Sequence, residues 1–226
     1  MRKATFFYLL RRGLLGAGGF VRDGLVMAAS KFKLSGLTHP SSGSAEFDGA
    51  SDYIQLDTPF SYTNHTIAAW VYVEDDATNK MIFDSRDGIS DGILLYAASD
   101  ERVWYQVNGN NRILSTAIVN DWFFVVGTYD GATQKLYLNG SLDASEAIVK
   151  TINTTTDARI GAQSYSNANY FNGNLANVAF WNRALSSDEI NAVMWKGYQS
   201  LTDNEKSGLQ AWYSLDDVAK IGRAHV

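Results

Sequence analysis

Apolar and polar positions alternate along most of the chain from Ser44 to Asn182. In "HTIAAWVYVE", Ile67, Ala69, Val71 and Val73 fall on one side and Thr66, Ala68, Trp70 and Tyr72 on the other. That period of two predicts a strand. "KMIFDS", "GILLYAAS" and "RVWYQVNG" follow at short spacing, and "SAEFDGASDYIQL" reads as two short strands around a turn at Asp48-Gly49. "DWFFVVGTYDGATQKLYLNGSLDASE" predicts a strand over 122–129, a turn at Asp130-Gly131 and a strand over 134–138. Asn139-Gly140 then suits a tight hairpin turn, because both residues tolerate positive φ. With "ARIGA" and "GNLANVAFWN" the pattern gives about ten to twelve strands, the spacing of a sandwich or jelly roll.

The period changes once, inside "FNGNLANVAFWNRALSSDEI" (Phe171 to Ile190). Gly173 to Asn182 reads as a closing strand. Ser186 at the N-cap and Glu189 three residues later form a capping box, and Leu185 and Ile190 a hydrophobic staple. Ile190, Val193 and Met194 share one face, and Gly197 offers a stop. The expected fold is all-β: a two-sheet antiparallel jelly-roll sandwich with one short edge helix.

Composition supports strands: 13% of the 226 residues are aromatic, including 6 Trp and 12 Tyr. There is no cysteine, which excludes disulfides and thiolate metal sites. The net charge of −5 is uneven: the first 40 residues carry seven Lys or Arg against Asp23 alone, +6, leaving −11 for the rest. We read residues 1–43 as a basic, Gly- and Ser-containing lead-in, a solvated junction rather than a nucleic-acid arm. The acidic remainder scatters its cations without a stripe, so no nucleic-acid partner is expected. Arg11-Arg12, an apolar patch and Ala28-Ala29 mimic an export signal, but Arg22 and Asp23 interrupt it, so no convincing signal peptide is read. No apolar run reaches the about 18 residues of a membrane span. The last residues, "KIGRAHV" (Lys220 to Val226), back-translate from their second base onward to the start of a widely used short-read sequencing adapter. The expectation is therefore a metagenomic fragment whose residues 220–226 are adapter-derived.

The order "FDGASDYIQL", "HTIAAWVYVE", "DWFFVVGTYDGATQKLYLNGSL", "ARIGA", "FNGNLANVAFWNRALSSDEI" resembles the laminin-G-like jelly roll of the concanavalin A-like lectin/glucanase superfamily. The matching features are Trp122, the run Thr128 to Gly131, Asn139-Gly140, and the closing strand with its Ser186-x-x-Glu189-Ile190 cap. The resemblance covers roughly residues 44–196 and bounds the domain at 44–197. "SGLQAWYSLDD" (Ser207 to Asp217) looks like the first strand of a next module, so 198–219 is read as a linker plus that strand. "RDGLVMA" (Arg22 to Ala28) looks like a degraded counterpart.

The resemblance brings three chemistries to weigh. Glucanases of the superfamily use Glu-x-Asp-x-x-Glu, where one-face spacing serves retaining hydrolysis. Here Glu46 and Asp48 are present but Ser51 stands at the last position, so no enzyme is expected. No nucleophile elbow or His-x-x-x-His pair offers another catalytic centre. Relatives often bind Ca2+ through Asp side chains and loop carbonyls. Asp48, Asp52 and Asp57 are the candidates, although Ala176 and Asn177 replace an acidic pair that relatives often carry in the closing strand. The alternative is that these Asp residues stabilise turns. No cofactor is required.

Glycan binding needs aromatic rings to stack on sugar faces and polar groups to bind hydroxyls. Tyr96, Trp104, Tyr105, Asn108 and Arg112 provide one set; Tyr165, Asn167, Asn169 and Tyr170 provide another in a polar loop. Alternation sends one of Trp104 and Tyr105 inward. Of the sequons at Asn64, Asn139 and Asn153, Asn139 is already explained by its turn. The expected function is a non-catalytic recognition module for carbohydrate, in a larger surface, adhesive or phage-virion protein, extracellular or on the virion. Its partners would be a glycan or surface protein and neighbouring modules of the same chain. The alternatives are a purely structural assembly module and, least favoured, a degenerate glycoside hydrolase.

Overall fold

A computed structural model describes residues 39–216, except 42, 57–59, 61, 75–77, 89–91, 110, 119–120 and 153–157. The seven cations of the lead-in, Arg22 to Ala28, Asp57, Asn153 and the tail 220–226 lie outside the described residues.

The strands form two antiparallel sheets. Sheet A runs β1 (Ala45–Asp48), β12 (Asn172–Trp181), β3 (His65–Val73), β8 (Phe123–Tyr129), β9 (Thr133–Leu138) and β10 (Ser141–Ala147). Sheet B runs β2 (Ile54–Gln55), β11 (Arg159–Ile160), β4 (Lys80–Asp84), β5 (Ile93–Ala97), β6 (Arg102–Val107) and β7 (Arg112–Ala117). This is the jelly-roll sandwich the alternation predicts. At Asn139 and Gly140, φ is 50° and 81°, the positive pair that the hairpin requires.

The first face of β3 lines the sandwich core, where Ile67, Ala69 and Val71 meet Val125, Leu95, Val103 and Phe180. A close approach fixes the centre: a Cβ on Gly127 of β8 would lie 2.6 Å from the Tyr105 ring. Only glycine lets that ring lie flat against the strand. The Tyr105 hydroxyl then donates to His65 Nε2, 2.6 Å away, while His65 Nδ1–H faces the Tyr62 carbonyl at 3.3 Å.

The second face of β3 is buried as well. Helix α1 (Ser187–Val193) lies on the outward face of sheet A, and Ile190, Val193 and Met194 pack on Trp70, Phe124 and Val126. The capping box is present, with Ser186 N–H donating to Glu189 at 2.8 Å. The helix stops before Gly197, with Met194 as its C-cap. The Trp70 indole donates to the freed Met194 carbonyl at 2.9 Å, satisfying an end group that would otherwise need water. Gly197 instead starts a 3-10 turn (Tyr198–Ser200). Helix α2 (Asp203–Lys206) follows, with a second capping box formed by Thr202 and Glu205.

β13 (Leu209–Tyr213) corrects one expectation. The strand forms where the sequence predicts it, but its partner is β12 of this same sheet: Val178 faces Tyr213 and Ala179 faces Trp212. Trp212 is 2% exposed within the helix-covered layer. Alternation reveals a strand but not which edge it pairs with, and burial of Trp212 selects this edge. β1 pairs with β12 over Asn172–Leu175 and β13 over Val178–Trp181, so the two share one edge end to end. Between them Asn177 forms a bulge at φ 48°.

Candidate functional site

Strand pairing sets the outward face of sheet B. Gln55, Arg159, Asp84, Leu94, Gln106 and Arg112 stand opposite one another in a row, one from each strand. Met81, Tyr96, Trp104 and Leu114 form a shorter apolar row beside it. Directly opposed residues share a face, so the polar row and the aromatic row run side by side.

Three stations on this face each hold an arginine over an aromatic ring. At the β6–β7 margin, the Arg112 guanidinium sits 5.2 Å from the Trp104 ring centroid. Arg112 Nε donates to Gln106 Oε1 at 2.9 Å, and its charge also acts on the Tyr96 phenol. Tyr96 and Trp104 lie 5.6 Å apart, and the Trp104 indole donates to Asp100 at 3.2 Å. Burial raises the Tyr96 pKa, partly offset by the charges of Arg112 and Arg86, so the phenol stays neutral.

At the centre, Arg86 lies 5.2 Å from the Tyr165 ring. Its Nε and Nη2 both reach the Asp84 carboxylate at 2.8 Å, with side chains only 6% and 0% exposed. Burial works against the Arg86 charge, but Asp84 outweighs it and raises the pKa. Ser164 closes the station: its N–H donates to Asp84 at 3.3 Å and its hydroxyl to the Arg86 carbonyl.

At the β2–β11 margin, Arg159 lies 4.4 Å from the Tyr53 ring. It donates to Gln55 Oε1 at 3.1 Å, to the Gln163 carbonyl at 3.0 Å and to Asn167 at 3.4 Å. Tyr170 packs 6.5 Å from Tyr53. Tyr53 and Tyr165 are the exposed rings of the face, at 40% and 38%.

The expected residues therefore separate. Trp104 and Arg112 form one platform, Tyr165 a second, and Asn167 and Tyr170 a third. Tyr96 joins the first platform as a buried support: it is 4% exposed and packs on Trp104 rather than offering a stacking surface. Tyr105 is a correction. It points into the core at 0% exposure, because Gly127 and His65 receive its ring and hydroxyl. Asn108 is another: it sits in the β6–β7 turn at φ 38°, and its amide donates to the Thr151 carbonyl. Arg86, Arg159 and Tyr53 were missed. Alternation marks Arg159 as outward because Ile160 is in the core; Arg86 follows its strand and carries no such signal.

Asp48 and Asp52 are engaged in their own turn. Asp48 Oδ1 accepts from the N–H groups of Ala50, Ser51 and Asp52 at 2.8–3.1 Å, and Oδ2 accepts the Ser51 hydroxyl at 3.0 Å. Asp52 in turn accepts from Asp48 N–H at 3.1 Å. The backbone bonds, that from Ser51 first, hold the Asp48 carboxyl far below the usual carboxylate range. Among the described residues no three His, Asp or Glu side chains gather as a metal cluster. In β12, Ala176 is buried against the helix layer and Asn177 occupies the bulge, so neither replaces the negative charge of the missing acids. Of the three candidate calcium ligands, Asp48 and Asp52 thus serve their own turn, and Asp57 lies outside the described residues. Ser51, which stands at the third carboxylate position of the glucanase pattern, donates to Asp48 instead.

A laminin-G-type family profile, described as Concanavalin A-like lectin/glucanases superfamily, matches residues 48–191. No match was found among curated proteins. Solved structures share the fold at low identity. A candidate carbohydrate-binding protein from Bacteroides ovatus ATCC 8483 superposes with TM-score 0.61 at 17% identity, over 77% of this chain and 52% of its own. This chain thus spans about half of that protein. The CBM40 of Ruminococcus gnavus IT-sialidase gives TM-score 0.57 at 16% identity, over 67% of this chain and 96% of its own. Domains LG4-5 of the mouse laminin alpha1 chain give 0.51 at 17%, over 63% and 44%. With the profile match covering more than half of its length, the chain belongs to the laminin-G-like family of the concanavalin A-like lectin/glucanases superfamily.

Proposed function

We propose that the chain is a non-catalytic recognition module that binds carbohydrate on the outward face of sheet B. The observation that carries this reading is the Trp104 platform. A partly exposed indole, braced by Tyr96, lies beside the exposed Arg112, whose guanidinium supplies donors for hydroxyls while the buried Gln106 beneath the site anchors it. An apolar surface rimmed by oriented polar groups is what a pyranose ring needs. The Ruminococcus domain of the same fold is bound to α2,3-sialyllactose, which favours a glycan over other small ligands. The setting we assign is a larger extracellular or virion-surface protein, with neighbouring modules of its own chain as further partners. The platform needs no metal, and we assign no catalytic role to Glu46 or Asp48.

A glycan array probed with the full chain, in calcium and in EDTA, tests this. The expected result is calcium-independent retention of a defined glycan class. Trp104→Ala should weaken it roughly tenfold or more with the melting transition retained. Self-association without any glycan retention would replace this reading with the assembly module. Sugar release that disappears in Glu46→Gln would restore the hydrolase.

A further inference from the structure

We infer that the ligand of this face is an acidic oligosaccharide several rings long, held at two separated anionic groups by Arg112 and Arg159. This rests on the carbohydrate reading and narrows it. Both arginines belong to the same cross-strand row, four strand spacings apart, or roughly 19 Å. Each is fixed over a ring, Trp104 for Arg112 and Tyr53 for Arg159. Each is held there by neutral acceptors: Gln106 for one, and Gln55, the Gln163 carbonyl and Asn167 for the other.

Among the described residues neither forms an ion pair, whereas Arg86 between them is bound to Asp84. The row is therefore positive near both ends and neutral in the middle, where Asp84, Leu94 and Gln106 are buried. This is unexpected on a chain carrying −11 beyond its first 40 residues. A guanidinium preorganised by uncharged partners keeps its charge and its remaining N–H groups for a carboxylate or sulfate. The rings beside each arginine offer stacking surfaces for the sugars that carry those groups. One small anion would satisfy only one end, so the spacing selects a chain of sugars.

The test is titration of the full chain with oligogalacturonate, galacturonate monomer, sulfated dextran and unmodified dextran, at low and high NaCl. Oligogalacturonate should bind, more weakly as salt rises. The monomer should bind far more weakly, and unmodified dextran weakest. Arg112→Met and Arg159→Met should each reduce oligogalacturonate affinity about tenfold. Lysine at either position should preserve the salt dependence, which a merely misfolded variant would not. Binding of sulfated dextran but not oligogalacturonate would identify sulfate as the anionic group. Equal affinity for monomer and oligomer, or loss at only one arginine, would overturn the two-ended site. Glycan binding untouched by either methionine variant would sink the acidic ligand while leaving the carbohydrate reading intact; no glycan binding at all would sink that reading first. Tighter binding of a single-stranded oligonucleotide would show that the two cations serve nucleic acid instead.

Discussion

At the scale of single residues, two buried polar groups show how this fold tolerates them. His65 is fully buried, and desolvation, only partly opposed by the Tyr62 carbonyl, lowers its pKa from 6.5 to about 3. The rings of Phe60, Tyr105 and Tyr129 surround it. The unfolded chain therefore binds a proton that the folded chain refuses. His65 contributes full stability above pH 6.5 and loses it progressively as pH falls toward 3. Between pH 6.5 and 5 the loss should be on the order of 1–2 kcal/mol. Urea melts across that range should slope with pH in the parent and run flatter in His65→Gln; parallel slopes would remove His65 as the cause. Asn177 is the second case. Its φ of 48° suits Asn or Gly, and neither side-chain oxygen nor nitrogen finds a partner among the described residues. Asn177→Gly should stabilise the fold by about 1 kcal/mol, by relieving the left-handed backbone cost and removing a buried amide. A lowered melting temperature would instead mean that the amide binds an ordered water.

At the scale of elements, close packing between the sheets depends on β8 offering no side chain at Gly127. Gly127→Ala should push the Tyr105 ring off the strand and break its 2.6 Å contact with His65. Overpacking of this kind costs about 1–3 kcal/mol, and a thermal melt with near-UV circular dichroism would record both effects. An unchanged melting temperature would show that the ring can shift freely. The elements themselves were legible in sequence, because a period of two in β3 and the Ser186–Glu189 box of α1 are local signals. The face each residue serves was less legible. Alternation says that Trp104 and Tyr105 point opposite ways, but only Gly127, more than 20 positions away, decides which goes inward. Alternation turns Arg159 outward, but its station arises from cross-strand register, and that of Arg86 from the loop carrying Tyr165, which no local spacing records. Asn108 looked like a ligand group because a turn and a binding loop use the same amides.

At the scale of the whole molecule, sheet A, with β13 at its edge, is a middle layer between the sandwich core on one side and α1 and α2 on the other. Trp70 and Trp181 are both fully buried, and both send their indole N–H to carbonyls of the helical segment, Met194 and Glu205. The helical segment thus closes, together with Trp212 of β13, a hydrophobic cluster on the outward face of sheet A. The edge of β12 is also completed in two pieces, β1 over its first half and β13 over its second. Entry and exit of the domain meet there: a Cβ on Gly43 would lie 2.8 Å from the Asp216 carbonyl. Adjacent ends let such a module sit within a longer chain without distorting its sheets. Because β13 covers both an apolar surface and an unpaired strand edge, ending the chain before Gly208 should do more than trim a linker. It should expose Trp181 and the β12 edge, lower the melting temperature by many degrees and promote association through that edge. Size-exclusion chromatography and a thermal melt of the shortened chain decide the point. A monomer as stable as the parent would return Leu209–Tyr213 to the role of opening strand for a following module.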